Sequence, residues 1–173
     1  MIRTRVVLPV ASVVLSALVL AACGSGSGEN SVAPPKTTTG APATIGAAKT
    51  SLGRILIDSQ ARTVYLFKGD VGTRSACSGA CARSWPPLLA HGKPRIGAGA
   101  KASLIGTVRR DDGTLQVTYN GHPLYRFAQD HKPGDVAGQG LTAFGAQWFT
   151  LSAAGNQLTT SPPSSGGSGP AGY

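Results

Sequence analysis

The sequence has little of what enzymes and nucleic-acid binders usually display. It carries seven acidic residues against 16 Lys and Arg, one Met, three Cys, two Trp, four Tyr and four Phe. No G-x-S-x-G and no H-E-x-x-H occurs, so neither a serine-hydrolase elbow nor a zinc-protease helix is present. The glycine-rich stretch from Gly134 to Gly145 contains Gly138 and Gly140 but no G-x-G-x-x-G opening a helix, which excludes a dinucleotide loop. Basic residues are scattered, with no run of four, so an arm for nucleic acid is not expected. These absences leave no catalytic residue, no metal ligand set and no cofactor to assign.

What the chain does have is a formal charge of +9 and a strongly asymmetric front end. Met1-Ile2-Arg3-Thr4-Arg5 is followed by an apolar run, Val6 to Leu20, and then by Leu20-Ala21-Ala22-Cys23. The run is shorter than the ~20 residues that cross a bilayer comfortably and has Pro9 near its start. A basic start, a short apolar stretch and small residues before a cut form the layout of a secretory signal. The last four residues resemble the lipobox of bacterial lipoproteins. That resemblance implies cleavage before Cys23 and a diacylglycerol on its sulfur. The expected location is therefore the outer face of a cell membrane, held there by lipid. The basic surplus favours anionic lipid headgroups or cell-wall polymers as further partners; the sequence points to no protein partner.

Composition then divides the remainder. Residues 1–22 read as the signal, 23–50 as a tether rich in Gly, Ser, Thr, Ala and Pro, 51–154 as one domain, and 155–173 as a tail ending in SPPSSGGSGPAGY. With Cys23 lipidated, Cys77 and Cys81 are left as an even pair in an oxidising compartment. Residues four apart on a helical turn have Cα atoms roughly 6 Å apart, within disulfide range. A bridge on a short helix from Ser78 to Ser84 is expected. A redox-active pair or a metal site with His91 or His122 is the competing reading.

The domain repeats itself. Tyr65-Leu66-Phe67-Lys68-Gly69-Asp70 recurs as Tyr125-Arg126-Phe127-Ala128-Gln129-Asp130. Each copy follows a strand and a turn, Asn120-Gly121 in the second being a strong hairpin signal. Each copy also leads to a Trp, Trp85 or Trp148. With the C-x3-C before Trp85-Pro86-Pro87-Leu88 and the glycine run before Trp148, the chain resembles the secreted-repeat lipoproteins of unknown function, which carry a Y-x-[FWY]-x-x-D motif. That resemblance implies a surface-anchored domain and supplies no activity.

In a strand, Tyr65 and Phe67 share one face, as do Tyr125 and Phe127. The plain expectation is an aromatic pair in the core, with Asp70 and Asp130 accepting backbone N–H groups of the next turn. The sharper one is a ligand cleft between halves, lined by both Tyr/Phe/Asp sets. Asp111-Asp112-Gly113 is expected as a hairpin tip, His122 as an exposed residue after the Asn-Gly turn, and His131 in a turn-rich loop, where Asp130-His131 as a metal pair is the weaker reading because neighbours in sequence seldom face one ligand. Strands are predicted near 54–57, 63–67, 104–109, 114–119, 122–127, 147–151 and 157–160. The fold class is mainly β: a small antiparallel domain of two related repeats with one short disulfide-pinned helix. Three functions fit: a non-enzymatic binding or envelope-associated lipoprotein, a redox- or metal-linked extracytoplasmic protein, or a cell-wall carbohydrate-active enzyme using Asp70 and Asp130.

Overall fold

A computed structural model describes residues 40–160. Nine strands and one α-helix follow in order: β1 Thr44–Thr50, β2 Gly53–Ile57, β3 Tyr65–Phe67, α1 Gly79–Ser84, β4 Arg95–Ile96, β5 Ile105–Arg109, β6 Leu115–Tyr119, β7 His122–Pro123, β8 Thr142–Ala143 and β9 Ala146–Thr150. They form three three-stranded sheets, β2-β1-β4, β3-β9-β8 and β5-β6-β7. Every named pairing is antiparallel except β1 with β4. The mainly β, antiparallel, two-repeat expectation holds.

Two hairpins open the repeats. β1–β2 turns at Ser51-Leu52 with Gly53 at φ 95°, and β5–β6 turns through Asp111-Asp112-Gly113 with Gly113 at φ 82°. In the second turn Gly113 N–H bonds to the Arg110 carbonyl at 2.9 Å. Asp112 fastens the same turn by accepting the backbone N–H and the hydroxyl of Thr114, at 2.9 and 2.6 Å.

Two boundaries move. The segment expected as tether up to residue 50 contains β1, and its Ile45 is fully buried. Thr44-Ile-Gly-Ala-Ala-Lys-Thr50 shows little hydrophobic alternation because close approach, not bulk, is what it must allow. A Cβ on Gly97 would lie 3.3 Å from the Cα of Gly46. At the other end, residues expected as tail pair back onto β9: Leu158 N–H bonds to the Thr150 carbonyl at 2.9 Å, and Leu151 bridges Gln157. The strand expected over 122–127 is β7 alone, because its partners change along its length. Leu124 N–H bonds to Val117, Tyr125 N–H to Tyr65 and Arg126 N–H to Pro86.

The core has two layers, divided by the period of two along the motif strands. Val64, Leu66 and Leu124 face an aliphatic cluster with Ile45, Leu56, Leu88, Val117 and Leu151. Tyr65, Phe67, Tyr125 and Phe127 face an aromatic cluster with Trp85, Trp148 and both domain cysteines. Arg126 departs from this alternation. It takes an aliphatic-face position but sends its Nε to the buried Asp58 carboxylate at 2.7 Å.

Candidate functional site

The repeated motif meets itself at one point. Tyr65 and Tyr125 form an antiparallel bridge, each donating its N–H to the other's carbonyl, at 2.9 and 3.0 Å. Each Tyr then crosses to the opposite repeat. Tyr65 Oη donates to Asp130 Oδ2 at 2.5 Å, and Tyr125 Oη to Asp70 Oδ2 at 2.9 Å. Each Asp also holds its own following loop: Asp70 Oδ1 accepts Ala76 N–H at 2.8 Å, and Asp130 Oδ1 accepts Ala137 N–H at 3.0 Å. The carboxylates thus join repeats as well as close turns, a part that spacing within one copy could not show.

The rings follow the same exchange. Phe67 of repeat one stacks on Trp148 of repeat two at 4.2 Å, and Phe127 stacks on Trp85 at 4.2 Å. The two indoles lie parallel in between, with centroids 3.9 Å apart. A four-ring column, Phe67–Trp148–Trp85–Phe127, results. Tyr65 meets Trp85 edge-on at 5.4 Å, and Tyr125 meets Trp148 edge-on at 5.2 Å, the T-shaped geometry that aromatic quadrupoles favour. Both Tyr and both Trp are essentially without solvent contact. No open cleft is lined by these rings.

Burial governs the electrostatics. It pushes the Asp70 carboxyl up to about 6, against the pull of Ala76 N–H, the Tyr125 hydroxyl and Arg110. It also raises Asp130, against the Tyr65 hydroxyl and Ala137 N–H. Both phenols are raised, first by burial and then by the facing carboxylates for Tyr65 and the Asp70 charge for Tyr125. They remain protonated donors, which is the state the crossed hydrogen bonds require.

Cys77 and Cys81 are joined, with Cα atoms 5.3 Å apart; Cys77 lies in the extended segment before α1 and Cys81 within it, so the bridge ties the loop to the helix and does not lie along one helical turn. Cys23 lies outside the described residues. Among the described residues, no three His, Cys, Asp or Glu converge as metal ligands. His122 is half-buried rather than exposed, and burial followed by the Lys68 charge lowers its pKa. His131 lies in a loop closed by Asp135, which accepts the N–H groups of His131 and Lys132 at 2.9 and 2.8 Å.

Two polar centres escaped the sequence reading. Arg110 is buried at 7 % exposure, its Nη1 donating to Ser75 Oγ at 2.6 Å and Gln116 Oε1 at 2.7 Å, and its Nη2 to the Cys77 carbonyl at 2.6 Å. Gln139 ties the last segment down, accepting from Thr150 N–H at 2.8 Å and donating to the Leu158 carbonyl at 2.6 Å. Both sit in loops, where apolar periodicity carries no information. Asp58 did have a local signal, an Asx-type turn confirmed by its bonds to Gln60 and Arg62 N–H at 2.8 and 3.0 Å.

A duplicated β unit, closed by exchange of Tyr, Asp and aromatic rings and carrying a disulfide, defines a two-repeat class of small β domain. The chain belongs to the family described as a secreted repeat of unknown function, which matches residues 46–89 and again residues 106–152, together more than half of its length. No curated protein and no solved structure matches it. The family is one of secreted repeats, which supports a location outside the cytoplasm and assigns no activity.

Proposed function

We propose that the chain is a lipid-anchored scaffold, fixed by Cys23 to the outer face of a membrane and presenting the two-repeat domain as a binding module. The observation that carries this reading is the fate of the motif. Tyr65, Phe67, Asp70, Tyr125, Phe127 and Asp130 bond or stack with one another across the repeats, and both Tyr are fully buried. A motif engaged in this way marks a frame, and specificity then belongs to the loops that the frame holds. The anchor is supported by Leu20-Ala21-Ala22-Cys23 after a short apolar run, and once Arg3 and Arg5 are removed with the signal the 14 remaining Lys and Arg against seven acids, a formal +7, favour an anionic envelope surface. No helix among the described residues is long and apolar enough to cross a membrane. Two acyl chains on one residue would suffice for stable attachment, where one alone is marginal.

Mass spectrometry of the membrane fraction tests the anchor. The expected species begins at Cys23 and carries diacylglycerol on sulfur, and Cys23→Ala moves the protein out of the membrane pellet. A chain that retains Met1, or an unmodified sulfur at position 23, sinks the anchor.

A further inference from the structure

The loop of repeat one faces something that the matching loop of repeat two does not. The loop between β3 and α1, with the tip of the β5–β6 hairpin, encloses a pocket of about 400 Å³, within the size range of small-molecule sites (~300–1,000 Å³). The loop is held from two directions, by Ala76 N–H on Asp70 and by the Cys77–Cys81 bridge, so its wall is preorganised. Arg110 lines the pocket with its guanidinium locked by Ser75, Gln116 and the Cys77 carbonyl. Its buried Nε has no hydrogen-bond acceptor. The nearest carboxylate there, Asp112 Oδ2, stays at 3.6 Å, beyond hydrogen-bonding range. Asp112 is 58 % exposed at its side chain and is tethered through Oδ1 to Thr114, which leaves Oδ2 with only this long ion pair to Arg110. Arg74 and Asp111 complete the lining as an exposed pair at 3.3 Å, a contact weak enough to open.

The repeat frame does not require this group. In repeat two the Tyr65 hydroxyl is satisfied by Asp130 and by Gly138 N–H, without any arginine. In repeat one the Tyr125 hydroxyl adds Ser75, and through it Arg110. Two cations and two anions therefore face a single concavity. A purely anionic ligand would meet Asp111 and Asp112, and a purely cationic one Arg74 and Arg110. A ligand carrying both charges leaves none opposed.

We infer that this pocket binds a small zwitterion of the α-amino-acid class, with its carboxylate between Arg74 and Arg110 and its ammonium at Asp111 and Asp112. Arg74 and Arg110 among the lining residues supply positive charge for the carboxylate, and Val71, which lines the pocket at 77 % exposure, gives a small apolar side chain something to cover. This assignment deepens the binding-module reading and is independent of the lipid on Cys23. An unmodified Cys23 with intact binding removes the anchor only, and absent binding with a lipidated Cys23 removes the pocket only.

The test is a titration of the purified full chain with L-alanine, followed by amide NMR shifts, with acetate and methylammonium as single-charge probes. Saturable shifts confined to residues 71–78 and 110–112 are expected, with both single-charge probes binding at least about tenfold more weakly. Arg74→Gln and Asp111→Asn should each weaken L-alanine by about tenfold or more while leaving the melting temperature in place. Arg110→Gln should abolish binding, but it also breaks a buried network, so the two rim variants decide. No saturable shift with L-alanine, acetate binding as tightly as L-alanine, or rim variants that bind normally would each overturn the assignment.

Discussion

Repeat one and repeat two solve one problem with different material. Each must bring a Trp into the column and close the loop after its Asp. Repeat one uses a six-residue helix, too short to be stable alone, and pins it with Cys77–Cys81. Repeat two uses the β8–β9 hairpin, which delivers Trp148 from a strand and fixes its Nε1–H on the Ala143 carbonyl at 3.2 Å. Where repeat one continues after Ala76 with Cys77, repeat two continues after Ala137 with Gly138. A Cβ at Gly138 would fall 2.7 Å from the Trp85 ring and 2.9 Å from Tyr65. What the repeats share is the frame, meaning crossed Tyr–Asp bonds and parallel indoles. What they do not share, the pocket around Arg110, is free to serve a purpose of its own.

The largest test of equivalence is removal of the indoles. Trp85→Ala and Trp148→Ala should each cost roughly 3–5 kcal/mol in urea unfolding. The two values should agree closely, because each indole stacks on the other and on one Phe. A variant that barely changes the unfolding midpoint would show that its repeat does not depend on the column.

The hydroxyls should separate the repeats. Tyr65→Phe strips a donor from Asp130, which is only 6 % exposed, and should cost roughly 1–3 kcal/mol, since a buried acceptor left unmade carries its full desolvation penalty. Tyr125→Phe should cost less, because Asp70 is more open to water, while each carboxylate keeps its own loop N–H. Equal losses, or the reverse order, would contradict the burial difference.

Replacing both Cys77 and Cys81 with Ser should cost about 2 kcal/mol for so short a loop. Amide exchange should rise in residues 71–85 and stay unchanged around Trp148. Protection lost equally in both repeats would mean that the bridge supports the whole domain.

The smallest effect is in pH. Burial holds the Asp70 carboxyl up at about 6, so its proton is bound more tightly folded than unfolded. Such a group contributes fully below its unfolded value near 3.8, and the contribution is lost as pH rises through about 6. Asp130 is raised in the same sense. Asp112 and Asp135 are lowered, and their contributions are lost only below the ordinary carboxylate range. The melting temperature should therefore decline gently between about pH 4 and about pH 6, and Asp70→Asn should flatten part of that decline. A wild-type curve that climbs through this interval would reverse the sign and remove Asp70 as its source.

Much of the frame was legible along the chain. Alternation marked β2, β3, β5, β6 and β9, and Asn120-Gly121, with Asn120 at φ 50° and Gly121 at φ 79°, marked the turn into β7. The helix from Gly79 to Ser84 differs from the expected span by one residue. β1 was illegible because its Gly and Ala are chosen for proximity to Gly97 and Ala98, a neighbour some fifty positions away. β4 and β8 are two residues each, too short to show any period.

By itself the sequence determined the duplication, the strand faces of Tyr65, Phe67, Tyr125 and Phe127, and the spacing that lets Cys77 reach Cys81. The strand faces depend on the period of two in a strand, and the cysteines on a separation of four that keeps their Cα atoms 5.3 Å apart, although only Cys81 lies in the helix. Only the tertiary structure decided that Tyr65 answers Asp130 and Tyr125 answers Asp70, that the two indoles lie face to face, and that Arg110 is drawn beneath the loop of repeat one. Those contacts join residues 33 to 65 positions apart. No local rule selects such partners; they follow from which arrangement both buries the rings against one another and pairs the phenols with the carboxylates.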